Sequence, residues 1–388
     1  MNLEFLSPIK DSITALSVIL PKDSIAQNLR IHKLSSVIPD LSDVDIAIIG
    51  VEEDRKSEDN LGSGKGLNQV REKLYNLFQG NWTTTIADLG NIKKGNSVKD
   101  THFAVIEVVS ELLKKNIIPI IIGGGQDITY ANYRAYDTLE QVVNLVAVDS
   151  MFDLGNLEDE LSSRSYLSKI IMQKPNNLFN YCNIGYQTYM NSQEEINLLD
   201  ELNFDAYRLG DAKKLEVVEP IFRDADIVSV DIGSVRQTDA PGNNNTSPNG
   251  FYGEEICAIA RYAGLSDKLS SFGIYEYNPR LDNNNQTAHL IAQMIWYFIE
   301  GVNQRAKDYP FSTKENYQKF TVVLEDDEPI NFYKSHKSGR WWMEINIIGN
   351  NKYKRHALIP CTYQDYQDTA KEIIPKRWFK AMKKMVEY

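Results

Sequence analysis

Eight short apolar runs, each bounded by polar turn residues, lie in the first three quarters of the chain. Segments whose apolar residues have helical spacing separate or follow them, including 67–78, 99–115, 253–263 and 286–305. A strand that is apolar along its whole length is typical of a parallel sheet with helices on both faces. The alternation therefore predicts an α/β fold, a three-layer αβα sandwich with a central eight-stranded, mainly parallel sheet. The predicted strands are 45–51, 83–88, 117–122, 144–149, 178–184, 204–209, 226–232 and 270–275.

The pattern changes after Arg305. Segments 319–324 and 341–348 are strand-like, and an acidic turn follows the first of them. This change indicates a separate element after the α/β domain. The sequence thus predicts three regions, namely an N-terminal extension (1–43), an α/β domain (44–306) and a C-terminal appendage (307–388).

The last 13 residues, 376–388, predict an amphipathic helix that ends the appendage. Trp378, Phe379 and Met382 have helical spacing, and several Lys and Arg residues lie among them. Two interpretations remain open. The helix docks on its own domain and leaves a solvated basic face, or it binds a partner protein or a membrane surface.

The chain has 42 Lys and Arg residues against 53 Asp and Glu, a net charge of −11. This charge argues against binding to nucleic acid or to an anionic membrane, and it favours a small-molecule or protein partner. No stretch reaches the roughly 20 apolar residues of a membrane helix, and the start lacks a secretory signal pattern. We therefore expect a cytoplasmic protein. Its three cysteines, Cys182, Cys257 and Cys361, form no CxxC pair and are expected to be reduced and buried.

Acidic residues follow two of the predicted strands. Asp149 and Asp153 come at and just after one strand end, and Asp231 lies near the end of another. Ligands of open parallel sheets bind beyond the carboxyl ends of the strands, and hard divalent cations take oxygen ligands there. One interpretation is that the three carboxylates converge on one cation. The other is that they are ordinary loop acids or helix caps.

The loops at these strand ends resemble the signature motifs of the ureohydrolase family of arginases, agmatinases and formimidoylglutamases. Those motifs are Gly-Gly-x-His, Asp-Ala-His-x-Asp and Ser-x-Asp-x-Asp, and six stretches match the family in the right order. The resemblance runs from about Asp45 to Arg305 and implies an arginase-like fold and a homo-oligomer, usually a trimer or hexamer. The matching stretches are 123–127, 149–153, 229–233, 62–71, 184–187 and 276–279.

In this family six side chains hold two manganese ions, and the resemblance carries each ligand position to a residue here. Gln126 stands at the first His position. The second motif is represented by Asp149, Met151 and Asp153, and the third by Asp231 and Gly233. The family's ligands are therefore lost at three positions, Gln126, Met151 and Gly233.

These losses affect the two ion positions unequally. The first retains Asp149, Asp153 and Asp231, and the amide oxygen of Gln126 can replace an imidazole nitrogen. The second retains only Asp149 and Asp231, because a thioether is a poor ligand for a hard cation and glycine offers no ligand. We therefore expect at most one divalent cation, manganese or magnesium, and no dinuclear manganese centre.

Glu276 matches the family position that grips the substrate's guanidinium or formimino group. The alternative is that Glu276 pairs with a local Lys, Arg or backbone donor. The five histidines, at positions 32, 102, 289, 336 and 356, fall in none of the ligand motifs. We expect His289 and His336 to be structural or surface residues, since a lone histidine has no metal-ligand spacing here.

Two functions follow from the resemblance and its gaps. The first is a ureohydrolase-fold pseudoenzyme, catalytically impaired, that binds a small guanidino or formimino ligand or a protein partner through its C-terminal region. The second is a divergent hydrolase of linear amidines that cleaves a C–N bond with one metal ion, of formimidoylglutamase or agmatinase type. In that case Asp149, Asp153 and Asp231 are the residual catalytic residues.

Overall fold

The structure is a computed structural model that describes residues 3–139, 141–156, 158–310, 314–325, 328–345 and 358–387. Its centre is a ten-stranded sheet with the order β1-β4-β3-β5-β10-β9-β6-β7-β8, and β2 also pairs with β4. Every pairing is parallel except that of β1 with β4. The strands are β1 Leu6–Ser7, β2 Leu29–Ile31, β3 Ile46–Val51, β4 Ile86–Ile92, β5 Ile118–Ile122, β6 Val143–Val148, β7 Leu178–Tyr186, β8 Asp205–Arg208, β9 Ile227–Asp231 and β10 Ser271–Tyr275.

All eight predicted strands are present, so the predicted three-layer α/β fold is confirmed. The count of eight was too low, because β1 and β2 join the edge of the sheet beside β4. These two strands are two and three residues long, too short to show a period in the sequence. Residues of the predicted N-terminal extension thus form part of the central sheet.

Helices cover both faces of the sheet. Successive residues of a strand point to opposite faces, so Ile46 and Ile48 of β3 belong to one apolar core, and Ala47 and Ile49 to the other. The first core includes residues of α4, α11 and α12, and the second includes residues of α5, α6 and α7. The helices of the domain are α1 Asp11–Thr14, α2 Leu16–Ile19, α3 Ile25–Asn28, α4 Leu67–Tyr75, α5 Val98–Lys114, α6 Ile128–Arg134, α7 Tyr166–Met172, α8 Gln193–Glu201, α9 Leu209–Ala212, α10 Leu215–Asp224, α11 Gly253–Gly264 and α12 Gln286–Asn303.

A buried ion pair ties α4 to the sheet. The Arg71 guanidinium donates to both carboxylate oxygens of Asp88 at 2.7 and 3.0 Å, and both side chains are fully buried. The Tyr75 hydroxyl also donates to Asp88, at 3.1 Å. Such a pair is costly to break on one side, because the remaining charge would be buried without its partner.

The appendage forms a second, antiparallel sheet with the order β11-β12-β13-β14. Two of its strands were expected from the sequence, although positions 346–348 of the second lie outside the described residues. The other two, β12 and β14, were not, since each is short and lies next to a proline or contains one. The elements are β11 Tyr317–Val322, β12 Ile330–Ser335, β13 Trp341–Glu344, β14 Leu358–Cys361, α13 Tyr363–Thr369 and α14 Lys376–Glu387.

The terminal helix α14 contacts the main domain. The Lys380 Nζ donates to the carbonyl oxygen of Phe204 at 2.6 Å, and the Lys384 Nζ donates to the side chain of Asn180. Lys384 is only 4% exposed, so the expectation of a fully solvated basic face is wrong at this residue. Burial lowers the pKa of Lys384 to about 8. The helix therefore uses part of its basic face for intramolecular contacts.

None of the helices in the described part of the chain is both long and apolar enough to cross a membrane. The three cysteines are free and buried, as the sequence predicts. Burial raises the pKa of the Cys257 thiol to about 12, which keeps this thiol protonated and unreactive near neutral pH.

Candidate metal-binding and active site

Four adjacent strands, β5, β10, β9 and β6, bring the predicted site residues to one edge of the sheet. Gln126 follows β5, Glu276 follows β10, Asp231 ends β9 and Asp149 follows β6. The register places Tyr275 beside Asp231, so Glu276 lies immediately beyond that pair. Along the chain β6 follows β5, but in the sheet β10 and β9 separate them. Such a switch point is where open α/β sheets form their ligand sites.

A glycine loop after β5 sets the position of Gln126. Gly123 and Gly124 have φ angles of 86° and 79°, a backbone region that favours glycine. A Cβ atom on Gly124 would lie 2.4 Å from the carbonyl oxygen of Glu53, so the backbone approach also excludes a side chain. The carbonyl of Gly124 accepts a hydrogen bond from the Glu276 N–H at 2.9 Å. The loop after β5 is thereby joined to the loop after β10.

Gln126 is fully buried and presents an oxygen atom that lacks a partner. Its Nε2 donates to the Ser229 hydroxyl at 2.9 Å, which fixes the orientation of the amide. Its Oε1 accepts no hydrogen bond from any described residue. This oxygen is therefore available as a ligand atom, since a buried polar atom left unpaired costs free energy.

Three aspartates crowd the same region. Asp149 and Asp153 are buried, and the Oδ2 of Asp149 has no hydrogen-bond partner within the described residues. Burial raises the pKa of Asp149 well above its ordinary value, and the charges of Asp153 and Asp231 raise it further. Burial also raises the pKa of Asp153 to about 7 and that of Asp231 to about 6. The three carboxylates repel one another, and a bound cation would relieve this repulsion.

The backbone itself is strained at two of the acidic residues. Asp153 has a φ angle of 54° and Glu276 one of 66°, the left-handed region that non-glycine residues rarely adopt. Strain of this kind costs about 1–3 kcal/mol per residue and persists where the surrounding structure enforces it. Both residues belong to the site predicted from sequence, which agrees with a functional reason for their conformations.

Glu276 accepts hydrogen bonds from three donors. Its Oε1 accepts from the backbone N–H of Gln126 at 2.8 Å, and its Oε2 accepts from the Ser57 hydroxyl and from the Asn60 Nδ2 at 2.7 Å. Burial raises its pKa to about 8, and the charge of Asp231 adds to this effect. A backbone donor is one of the local partners expected for Glu276 as an alternative to the substrate. Its role in gripping a substrate remains a prediction.

Arg164 brings a positive charge into the acidic cluster. Its Nη1 contacts the sulfur of Met151 and lies 4.0 Å from the Oδ1 of Asp153. The charges of Asp153, Asp231 and Asp149 hold the pKa of Arg164 up against its burial. Sequence reasoning missed this residue, because it lies in no motif and approaches the site only through the folding of the loop before α7.

Three asparagines form hydrogen bonds to the backbone of the site. The sequence did not identify them. The Asn60 Nδ2 also donates to the backbone carbonyl of Glu276 at 2.8 Å, and the Asn243 Nδ2 donates to the same carbonyl at 3.1 Å. The Asn183 Nδ2 donates to the carbonyl of Met151 at 2.8 Å. Asn60 lies just before the glycine-rich stretch and Asn243 just after Pro241-Gly242, so proximity to those motifs is the one signal that could have identified them.

The four histidines within the described residues make contacts elsewhere or are exposed. His102 bonds to Asp127 at 2.7 Å, and His32 to the carbonyl oxygen of Leu89 at 3.0 Å. His289 and His336 lie on the surface, as expected, and His356 lies outside the described residues. In the described ranges, no group of three or more His, Cys, Asp or Glu side chains is arranged to hold a metal ion.

The residues at the two ion positions expected from the resemblance differ in the atoms that they can donate. Three carboxylates and the unpaired Gln126 oxygen are ligands suited to a hard cation. At the second position, Met151 is already in contact with Arg164, and Gly233 contributes only its N–H, which donates to Asp231 at 2.6 Å. Since the carboxylates do not already surround one point, a cation would have to draw them together.

Comparison with known proteins agrees with this fold. The arginase family model matches residues 44–300. A formimidoylglutamase of Lysinibacillus sphaericus is 27% identical over 259 residues, which are 62% of this chain and 79% of that protein. One of Streptococcus gordonii is 25% identical over 281 residues, 66% of this chain and 84% of that protein.

Solved structures show the same fold. Trypanosoma cruzi formiminoglutamase with Mn²⁺ superimposes with a TM-score of 0.64 at 20% identity, covering 70% of this chain and 97% of that one. The agmatine ureohydrolase of Thermoplasma volcanium superimposes with a TM-score of 0.60 at 22% identity, covering 75% and 98%. The fold is thus the α/β fold of the ureohydrolases. The chain belongs to the arginase family.

Proposed function

We propose that the protein is a formimidoylglutamase-like hydrolase that cleaves a C–N bond of a small linear amidine with one divalent cation. The observation that carries this proposal is the set of oxygen donors at one sheet edge. Three acidic side chains, Asp149, Asp153 and Asp231, crowd together there beside the unpaired Oε1 of Gln126. This replaces the pseudoenzyme as the first candidate, because the named relatives are formimidoylglutamases and the donors for one ion remain.

The residues have distinct tasks under this proposal. Asp149, Asp153, Asp231 and Gln126 would hold the cation, manganese or magnesium. When bound, a divalent cation acidifies water and polarises the bond under attack. A bound cation would favour the ionised form of these carboxylates, whose burial and mutual repulsion favour protonation.

Glu276 is placed to orient the positively charged end of an amidine. A carboxylate has about four lone-pair positions, and three donors already use three of them. One position on Oε1 is left for a planar cation, and hydrogen bonds between such a cation and a carboxylate are strong. Ser57, Asn60 and the Gln126 N–H hold the carboxylate still while it does so.

The proposed substrate class rests on the negative charge of the site and on the similar proteins. A negative cluster selects a cationic guanidino or formimino group, and the relatives favour a formimino substrate such as formimidoylglutamate over agmatine or arginine. The test is formamide or urea release from these three compounds with saturating Mn²⁺, by wild-type protein and by Asp153→Ala. We expect turnover of the formimino compound by wild type, and loss of both metal binding and turnover in Asp153→Ala.

Asp43→Ala is the matched control, since Asp43 lies in an exposed ion pair with Arg30 outside the site. This variant should retain wild-type turnover. If wild-type protein released no product from any of the three compounds under Mn²⁺ saturation, the proposed hydrolase function would be refuted.

A second candidate is a catalytically impaired binding or scaffold protein. The contact of Arg164 with Met151 favours it, because a guanidinium occupies the region where the resemblance places the second ion. Such a protein would bind a guanidino or formimino compound without turnover, or bind a protein partner through its appendage, as a homo-oligomer. Calorimetric binding of formimidoylglutamate without product release, with light scattering for the oligomeric state, would support this candidate.

A further inference from the structure

Arg164 is held in place by the loop that leads from Asp153 into α7. The N–H of Leu167 donates to the carbonyl of Asp153 at 3.3 Å, which folds the loop back on the strand end. Within the loop, the N–H of Arg164 donates to the Ser162 hydroxyl at 3.3 Å, and the Ser165 hydroxyl donates to the carbonyl of Glu160 at 2.8 Å. These hydrogen bonds fix the backbone from which the guanidinium reaches Met151 and Asp153.

The environment of the guanidinium is strongly acidic. Its side chain is 28% exposed, whereas the Asp153 side chain 4.0 Å away is 3% exposed. Asp149, Asp231 and Glu276 also lie within electrostatic reach of it. An arginine stays charged at any pH at which the protein is folded, so it is a permanent positive charge among four carboxyl groups.

The same guanidinium contacts Met151, the residue at a lost ligand position of the second ion. A divalent cation there would meet a fixed positive charge at close range, in a site where solvent screens charges poorly. The Met151 thioether is uncharged, so it can contact the guanidinium without electrostatic repulsion. The methionine at the ligand position and the arginine beside it thus both disfavour binding of a second divalent cation.

We propose that Arg164 is a built-in counter-cation that takes the place of the second metal ion's charge and limits the site to one divalent cation. Two consequences follow. Arg164 stabilises the metal-free protein by offsetting the negative charge of the acidic cluster. It also weakens the binding of a divalent cation to the same carboxylates. The inference rests on the cation-binding part of the proposed function and does not depend on turnover.

The experiment compares Arg164→Gln with two controls, by titrating each metal-free protein with Mn²⁺ and following free Mn²⁺ by electron paramagnetic resonance. Arg164→Lys keeps the charge. Arg134→Gln removes an arginine of similar exposure, 27%, whose partners are Asp137 and Tyr130, outside the site. We expect Arg164→Gln to bind Mn²⁺ at least tenfold more tightly at pH 8 and to melt at a lower temperature without metal, while both controls keep a wild-type affinity.

Unchanged or weaker Mn²⁺ binding by Arg164→Gln would overturn the inference, even if its melting temperature fell, because that result describes an ordinary structural ion pair. Turnover is scored separately. Tighter binding by Arg164→Gln with no turnover by wild type would remove the hydrolase proposal and leave the inference standing. Turnover by wild type, with no change in the Mn²⁺ affinity of Arg164→Gln, would remove the inference and leave the hydrolase proposal standing.

A second comparison tests the limit on stoichiometry. Met151→His with Gly233→Asp restores two lost ligands, and a Cβ at Gly233 would have its nearest atom, the Oδ1 of Asp231, at 3.0 Å. We expect this double variant to bind one Mn²⁺ while Arg164 is present and two after Arg164→Gln is added. Two ions bound in the presence of Arg164 would contradict its limiting role.

Discussion

Replacing Asp231 by asparagine should stabilise the metal-free protein and abolish its cation binding. Burial raises the pKa of Asp231 to about 6 from an ordinary value of 3.8. At pH 8 the carboxylate is ionised in both the folded and the unfolded state, so this difference corresponds to about 3 kcal/mol lost from the folded state. Asparagine keeps the shape and can still accept from the Gly233 N–H. After the cost of burying an amide, we expect a gain of about 1–3 kcal/mol in the free energy of unfolding.

Urea denaturation at pH 8 without metal measures the stability, and Mn²⁺ calorimetry measures the binding. Asp88→Asn is the matched control, since Asp88 is a buried aspartate whose charge is paired with Arg71. The same substitution there should destabilise by about 3–5 kcal/mol, because it leaves a buried guanidinium unpaired. If Asp231→Asn also destabilised the metal-free protein, the view of the site as crowded, excess negative charge would be wrong.

Two further predictions follow from the same electrostatics. The metal-free protein should lose stability as the pH rises from about 4 to 8, because burial raises the pKa of Asp231 to about 6, of Asp153 to about 7 and of Glu276 to about 8. The folded state holds these protons more tightly than the unfolded state. Its advantage is therefore full below the ordinary carboxyl pKa and is lost through this range. Melting curves across that pH range test this, and saturating Mn²⁺ should raise the melting temperature most at the alkaline end. Arg71→Met should lower the free energy of unfolding by about 3–5 kcal/mol, because it leaves the buried Asp88 without its charged partner. It should leave the Mn²⁺ affinity unchanged, since Asp88 lies within the sheet and not at the site. Urea denaturation and calorimetry on the same samples measure both quantities, and a change in Mn²⁺ affinity would contradict the prediction.

The sequence predicted most of the central strands from their apolar character, as in β3 and β5, where every residue is buried. It did not predict β1 and β2, since a strand of two or three residues has no period and is specified by pairing with β4. Tertiary pairing of this kind leaves no local signal. Strands β12 and β14 of the appendage were missed for another reason, since the first follows a proline and the second contains one.

The acidic residues of the site were found because strand ends and motif order marked them. The residues that contact them were not, because their partners are distant in the chain. Ser57 and Asn60 meet Glu276 from the loop after β3, and Arg164 reaches Asp153 and Met151 only through the fold of its own loop. Motif positions therefore identified the expected ligand positions, while the approach of Arg164 to two of them became visible only in three dimensions.

The central claim is that this edge of the sheet has donors for one divalent cation and not for two. The most direct measurement is an anomalous-scattering map of crystals grown with saturating Mn²⁺. The account predicts a single peak among Asp149, Asp153 and Asp231, with Arg164 beside it. A pair of peaks about 3.5 Å apart, the spacing of a dinuclear centre, or the absence of any peak would contradict it.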